Sequence, residues 1–136
     1  MNIKHESSDF LEKQTVDHKS SLIYSFRYAG RGILQVFRSE RSFRLQILVL
    51  AFAVIAGFIF QITGMEWVLI LVAGSIVLIS EMINTAIEYA VDLITEEYRI
   101  FAGHIKNITA GAVLVSAIIA AVIGLIIFVP YFLEYI

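Results

Sequence analysis

Glu81, Asn84, Glu88 and Asp92 fall on one face of any helix that contains them. At about 100° per residue they span an arc of about 80°, with Thr85 beside it. They continue an apolar run, Trp67 to Ser80, that by itself reads as most of a membrane span. A carboxylate in hydrocarbon costs roughly 2.5 to 3.5 kcal/mol on insertion scales, so aligned carboxylates and an amide at the end of such a run mark a site. At a membrane interface, carboxylates can hold Mg²⁺, a hard cation that takes oxygen ligands and keeps waters and phosphate oxygens around it. Glu88 and Glu40 are suitably placed for that. Glu81, about 10 Å further into the apolar run, would meet a lipid hydroxyl rather than water. Lys106, a compact point charge in the next polar segment, could neutralise phosphate oxygens. The set suits phosphoryl transfer from Mg·ATP to a membrane alcohol, in which positioning and charge neutralisation carry most of the catalysis. The phosphate-cradling G-x-x-x-x-G-K-[ST] loop is absent, and Gly30-Arg31-Gly32 is a lone G-x-G. Residue types alone therefore leave open a lipid-modifying enzyme of non-P-loop type, a small oligomeric proton or ion transporter, and an assembly protein.

The elements that must position these residues are all helical. Of 136 residues, 59% are hydrophobic and 16% charged, which is the composition of a membrane protein. The lack of cysteine excludes disulfides, thiolate zinc sites and cysteine nucleophiles. Residues 1–20 read as a flexible cytoplasmic tail, followed by a single membrane domain over 21–136. Within it, 21–41 predicts an amphipathic surface helix, with Leu22, Ile23, Phe26, Ile33, Leu34 and Phe37 on one arc and Arg27, Arg31 and Arg38 opposite. Glu40 breaks the pattern by falling in the apolar arc: either the helix has ended or bent by Ser39, or Glu40 turns inward toward the carboxylates.

Three spans follow, at about 44–63, 66–94 and 108–130, with a tight turn at Thr63 to Glu66 and Pro130 ending the third. The segment Thr95 to Asn107 reads as a polar connection. Ala110, Ala117, Ala121 and Gly124 share one face of the third span, which predicts close packing and no chemistry. Eight of the ten basic residues, Lys4 through Arg44, precede the first span, and Arg99 and Lys106 lie between the second and third. The positive-inside rule then predicts a cytoplasmic N-terminus and an external C-terminus, with every candidate site residue on the cytoplasmic side.

The run Glu81-Met82-Ile83-Asn84-Thr85-Ala86-Ile87-Glu88, with Val91-Asp92, resembles the E-x-x-N-[ST]-A-I-E-x-x-V-D signature of the small prokaryotic diacylglycerol kinase family, which includes undecaprenol kinases. Glu40-Arg41-Ser42-Phe43-Arg44 is similar to the family's E-x-x-F-R start of the first span, and Glu97-Tyr98, Lys106 and Ala110 to Val115 match as well. The resemblance covers about residues 28–124. It implies an ATP- and Mg²⁺-dependent lipid kinase of the bacterial cytoplasmic membrane, a homotrimer with active sites between neighbouring subunits and no nucleic-acid partner. Carried over by motif, Glu81 is the catalytic base, and Glu40 and Glu88 are the metal ligands. Tyr28, Glu40, Glu88, Glu97, Lys106 and Asn107 lie along the ATP site. Asn84 positions substrate, and Ser42, Phe43 and Arg44, with their neighbours to Gln46, line the lipid's access. Asp92 is given a structural part, for example tying the helix end to an arginine.

Asn84-Thr85, the connection beginning near Leu93 and Ala110 to Val113 look more like undecaprenol kinases, so undecaprenol is the expected acceptor and diacylglycerol the next. Two positions depart from the pattern. The family usually has Lys-Asp where this chain has Lys106-Asn107, and often histidine in place of Arg99. Asn107 keeps the shape of the aspartate without its charge, so a weak or inactive homologue is the alternative the resemblance leaves.

Overall fold

A computed structural model describes residues 18–94 and 100–136. Four helices make up nearly all of them: α1 (His18–Ser39), α2 (Arg41–Phe60), α3 (Gly64–Ile94) and α4 (Ile100–Tyr135). The last three are long and apolar enough to cross a membrane. Of the tail expected at residues 1–20, residues 1–17 lie outside the described residues, as do Glu97 and Arg99, while 18–20 already belong to α1. The described residues up to Gln35 form one unit and those from Val36 onward a second. In the first, Leu22, Ile23 and Phe26 are all exposed, as an apolar face offered to a membrane interface requires. The Arg31 guanidinium stands 5.7 Å over the Tyr28 ring there.

In the second unit α3 is the central helix, packed most extensively on α4, less on α2, while α2 and α4 touch only briefly. Its buried residues explain the arrangement. Ile70, Ala73, Val77, Glu81 and Asn84 recur at steps of three and four, with Thr85 beside Asn84 and Val91 seven residues beyond it, so the polar stripe is the apolar packing stripe continued toward the helix's C-terminus.

The α2–α3 turn is built from local chemistry. Gln61 takes the left-handed conformation (φ 51°, ψ 47°) and donates its N–H to the Gly57 carbonyl, closing α2. Thr63 then opens α3 with a capping box: the Glu66 carboxylate accepts from the Thr63 N–H at 2.7 Å and hydroxyl at 2.8 Å, and Thr63 Oγ1 accepts from the Glu66 N–H at 3.4 Å. The Tyr131 hydroxyl donates to the same carboxylate oxygen at 2.9 Å, bringing α4 to the turn. Beneath it, Ile62, Ile70 and Ile127 form a buried cluster with Phe60, Trp67, Phe128 and Tyr131 packed around it. This turn end is the closed end of the bundle.

Three expectations are corrected here. The residues Gly64 to Glu66 belong to the first turn of α3, because the capping box satisfies the helix's first donors two residues earlier than a turn at Thr63 to Glu66 would allow. Pro130 lies inside α4, which runs on to Tyr135. The proline removes only its own N–H bond, and the turn beyond it is held by Tyr131, which bonds Glu66 and stacks 6.1 Å from Phe60. Likewise the connection to the third span is shorter than Thr95 to Asn107: α4 starts at Ile100, so Lys106 and Asn107 sit on a helix. An ion pair from Lys106 to α3, described below, links that first part of α4 to the neighbouring helix.

Between the turn cluster and the polar stripe, α2, α3 and α4 leave an open groove of 680 Å³. Leu45, Val49, Phe52, Val77, Ala117 and Ala121 are among its walls, and Gln46 is the one polar side chain in its lining.

Close approach at the turn end makes a testable demand. A Cβ on Gly57 would stand 2.8 Å from the Trp67 ring, and one on Gly74 2.6 Å from a terminal methyl of Leu50, which can rotate away. Gly57→Ala is expected to lose about 1 to 2 kcal/mol by overpacking, and Gly74→Ala much less. Gln61→Gly, relieving a left-handed residue with a Cβ, should gain about 1 kcal/mol. Thermal unfolding in detergent reads all three, and unchanged stability in Gly57→Ala would show that the tryptophan yields.

Candidate active site

The site is assembled where α1 gives way to α2. Glu40 is extended (φ −98°, ψ 118°) between the two helices, so α1 ends at Ser39. Glu40 is itself half-buried. The break leaves the last carbonyls of α1 without helical partners, and Arg44 supplies them: its Nη1 donates to Phe37 O and Arg38 O, each at 3.0 Å. Phe43, next to it, is buried at 3% exposure, and Ser42 is exposed.

That braced elbow aims one face of α2 at α3. Ser42 and Gln46, four residues apart, lie one above the other on the helix. Ser42 Oγ donates to one oxygen of Glu81, and Gln46 Nε2 donates to the other at 3.0 Å. Glu81 is only 5% exposed. A carboxylate taken that far from water is tolerated where its oxygens are hydrogen-bonded, and both are. Thr85, the most buried polar residue, turns its hydroxyl back to the Glu81 carbonyl at 3.0 Å, which satisfies it without involving the carboxylate.

One turn further, Asn84 Nδ2 donates to Glu88 Oε1 at 2.9 Å. Asn84 is buried and Glu88 half-buried. Gln46 and Asn84 thus play the same part for successive carboxylates, and each leaves its amide oxygen buried with no partner. Beyond them, Lys106 Nζ pairs with Asp92 Oδ1 at 2.6 Å from α4 to α3. The pair is well exposed, with 36% and 61% of the side chains accessible, so it contributes at most about 1 kcal/mol and can open readily. Asp92 ties the end of α3 to this lysine and not to an arginine. Asn107, beside the lysine, is exposed.

The structure therefore places two hydrogen-bonded groups one turn apart on α3, Ser42 with Glu81 and Asn84 with Glu88, with Glu40, Phe43 and Arg44 at the elbow and Lys106 on Asp92. Tyr28 is exposed and belongs to the first unit, and Glu97 is outside the described residues. Among the described residues no three acidic or histidine side chains draw together into a metal cage. A cation that keeps phosphate and water ligands needs no such cage, and carboxylates with amide oxygens beside them are the hard donors it takes.

Sequence reasoning set Gln46 only among the neighbours of the lipid's access. The signal for more was available: an amide one turn inside an apolar helix has to find a partner. Thr63 and Glu66 likewise carry the T-x-x-E signature of a capping box, though their tie to Tyr131 across 65 residues has no local signal.

Known proteins provide a comparison. Residues 27–128 match the family model for prokaryotic diacylglycerol kinase. The chain is 41% identical over 119 residues to an undecaprenol kinase of Bacillus subtilis, covering 84% of this chain and 95% of that one. It is 31% identical over 115 residues to a diacylglycerol kinase of Synechocystis, at 84% and 66% coverage. With a diacylglycerol kinase of Escherichia coli it shares 29% over 101 residues, at 74% and 83% coverage.

The hydrogen bonds within the cluster predict unequal losses. Ser42→Ala deprives a buried carboxylate of one donor and should cost about 1 to 3 kcal/mol. Asp92→Asn weakens an exposed pair and should cost less than about 1 kcal/mol. Thermal unfolding in detergent checks the order, and equal losses would mean that Glu81 has water as an alternative partner.

Proposed function

Belonging to the prokaryotic diacylglycerol kinase family, this chain is a membrane lipid kinase that takes its phosphoryl group from ATP, and we propose that Glu81 is the base that activates the lipid's hydroxyl. The observation that carries this reading is a nearly fully buried carboxylate, held by two donors, at the end of an apolar groove. A lipid alcohol whose tail lies in the apolar layer brings its hydroxyl to that depth, where few other groups can take its proton. The proton passes to a Glu81 oxygen as the alcohol oxygen bonds to the γ-phosphorus. The bond from that phosphorus to the β–γ bridging oxygen breaks, and ADP leaves.

Undecaprenol is the proposed acceptor, on the strength of the 41% identity to the Bacillus protein, with diacylglycerol second. Mg²⁺ is the proposed metal, which when bound shields charge on the transferred phosphoryl group. Glu88 and Glu40 would hold it, and the unpartnered oxygen of Asn84 beside Glu88 supports an oxygen-ligand site there. Asn84 fixes the Glu88 carboxylate. Lys106, released from its exposed pair with Asp92, neutralises ATP phosphate oxygens, with Tyr28, Glu97 and Asn107 as further nucleotide contacts. Ser42 orients Glu81, while Phe43 packs the elbow that Arg44 braces, so those two serve the lipid through the shape of its access.

The broad apolar surface left exposed on α2, α3 and α4 suits both lipid and neighbouring copies, and supports a homotrimer with sites completed between subunits. A cytoplasmic N-terminus puts all these residues where ATP is available, in keeping with the eight basic residues ahead of α2's apolar core.

ADP release in mixed micelles, with Mg·ATP and either undecaprenol or diacylglycerol, tests the assignment. Glu81→Gln and Glu88→Gln should each lower turnover by at least about 100-fold. Asn107→Asp should leave it equal or higher. Turnover unaffected by Glu81→Gln would remove the proposed base. Silence of the unmodified chain with recovery in Asn107→Asp would mean a scaffold muted by that one amide.

A further inference from the structure

Nothing in the sequence from Phe37 to Arg44 obliges a helix to stop, since it holds neither proline nor glycine. The hydrogen bonds show what interrupts it. The helical ladder runs as far as Glu40 N–H to Val36 O, at 2.8 Å, and resumes with Arg44 N–H to Glu40 O, at 3.5 Å. In a continuous helix two of the carbonyls between, Phe37 O and Arg38 O, would accept from the N–H groups of Arg41 and Ser42, four residues on. Here both accept from Nη1 of Arg44, each at 3.0 Å. A side chain inserted into the ladder is one of the few causes of a sharp helix break. The guanidinium stays charged at any working pH, so this insert does not titrate.

The break decides where Glu40 points. In an unbroken helix its side chain falls on the same arc as Phe37. At the elbow it is half-buried and makes no capping bond, although it holds the N-cap position of α2, where a side-chain oxygen commonly accepts from the first N–H groups. Arg44 satisfies the end of α1 and leaves the Glu40 carboxylate uncommitted.

We propose that Arg44 is a wedge that holds the chain broken at Glu40 and thereby positions the Glu40 carboxylate for the divalent cation. The proposal rests on the reading of Glu40 as a metal ligand and adds what sets its place. Arg44 acts through the backbone and touches neither metal nor phosphate in this role. One nitrogen makes both bonds, so an ammonium with three hydrogens can stand in for it.

The test titrates Mn²⁺, which takes the same kinds of oxygen ligand as Mg²⁺, into the protein in detergent micelles without nucleotide. The free ion is followed by its electron paramagnetic resonance signal. Arg44→Met should bind Mn²⁺ at least about tenfold more weakly, the loss typical of removing a group that orients a metal ligand. Arg44→Lys should recover most of that affinity. Glu40→Gln should be impaired as well, and adding Arg44→Met to it should cost little more, because both act on one carboxylate. Amide exchange reads the elbow without any metal: the Arg41 and Ser42 N–H groups should exchange more slowly in Arg44→Met, as Phe37 O and Arg38 O take them back. Full Mn²⁺ affinity in Arg44→Met beside an impaired Glu40→Gln would overturn the proposal, and so would unchanged exchange. If Arg44→Met does not fold, Arg44→Lys decides: loss of Mn²⁺ affinity in that folded variant overturns the wedge, and retention upholds it. Full affinity in Glu40→Gln would instead remove Glu40 as a metal ligand, and the proposal with it.

Discussion

A carboxylate removed from water has to be met by donors, and the placing of Glu81 carries that demand into most of the molecule. Its partners, Ser42 and Gln46, come from a different helix. They reach it because the chain breaks at Glu40 and restarts as α2 with those two residues on the face turned to α3. The break in turn exposes carbonyls at the end of α1, and Arg44 caps them. An elbow, its brace and the register of α2 against α3 thus fit around one buried carboxyl group.

The two ends of the bundle answer different needs. At the turn end a single carboxylate, Glu66, gathers the start of α3, the turn and Tyr131 of α4, over a cluster of isoleucines and aromatic rings. Everything there is satisfied and close-packed, to the point that Gly57 leaves no room for a methyl beside Trp67. At the other end the amides of Gln46 and Asn84 each spend a donor on a carboxylate and keep an oxygen in reserve, and the lysine rests on an exposed aspartate. Groups left partly unsatisfied in this way are suited to a lipid kinase, which has to receive an alcohol, a nucleotide and a metal at one place. The closed end supplies the rigidity that holds the open end in register.

The groove joins the two. Its walls are apolar, and small residues such as Ala73, Gly74, Ala117 and Gly124 among them leave space that larger side chains would fill. A membrane-dissolved substrate needs no channel from water. Along α3 the buried stripe changes from apolar to polar within one helical turn, from Val77 to Glu81.

Much of this could be read from the chain alone. Helical periodicity put Glu81, Asn84 and Glu88 on one face, apolar length marked three spans, and the E-x-x-N-T-A-I-E run pointed to the family, because each of these is a local property of consecutive residues. The ends of the helices were less legible. Pro130 and the polar stretch before Ile108 look like boundaries locally, yet α4 passes through both, with Tyr131 bonded to Glu66 and Lys106 paired with Asp92 of another helix. The same holds at the site: residue types nominated the carboxylates, but only the packing of α2 on α3 determined that Gln46 would hold Glu81, that Arg44 would brace an elbow, and that Lys106 would rest on Asp92. Periodicity constrains which residues share a face. Which face meets which is decided by burial summed over whole helices, and that exists only once the chain has folded.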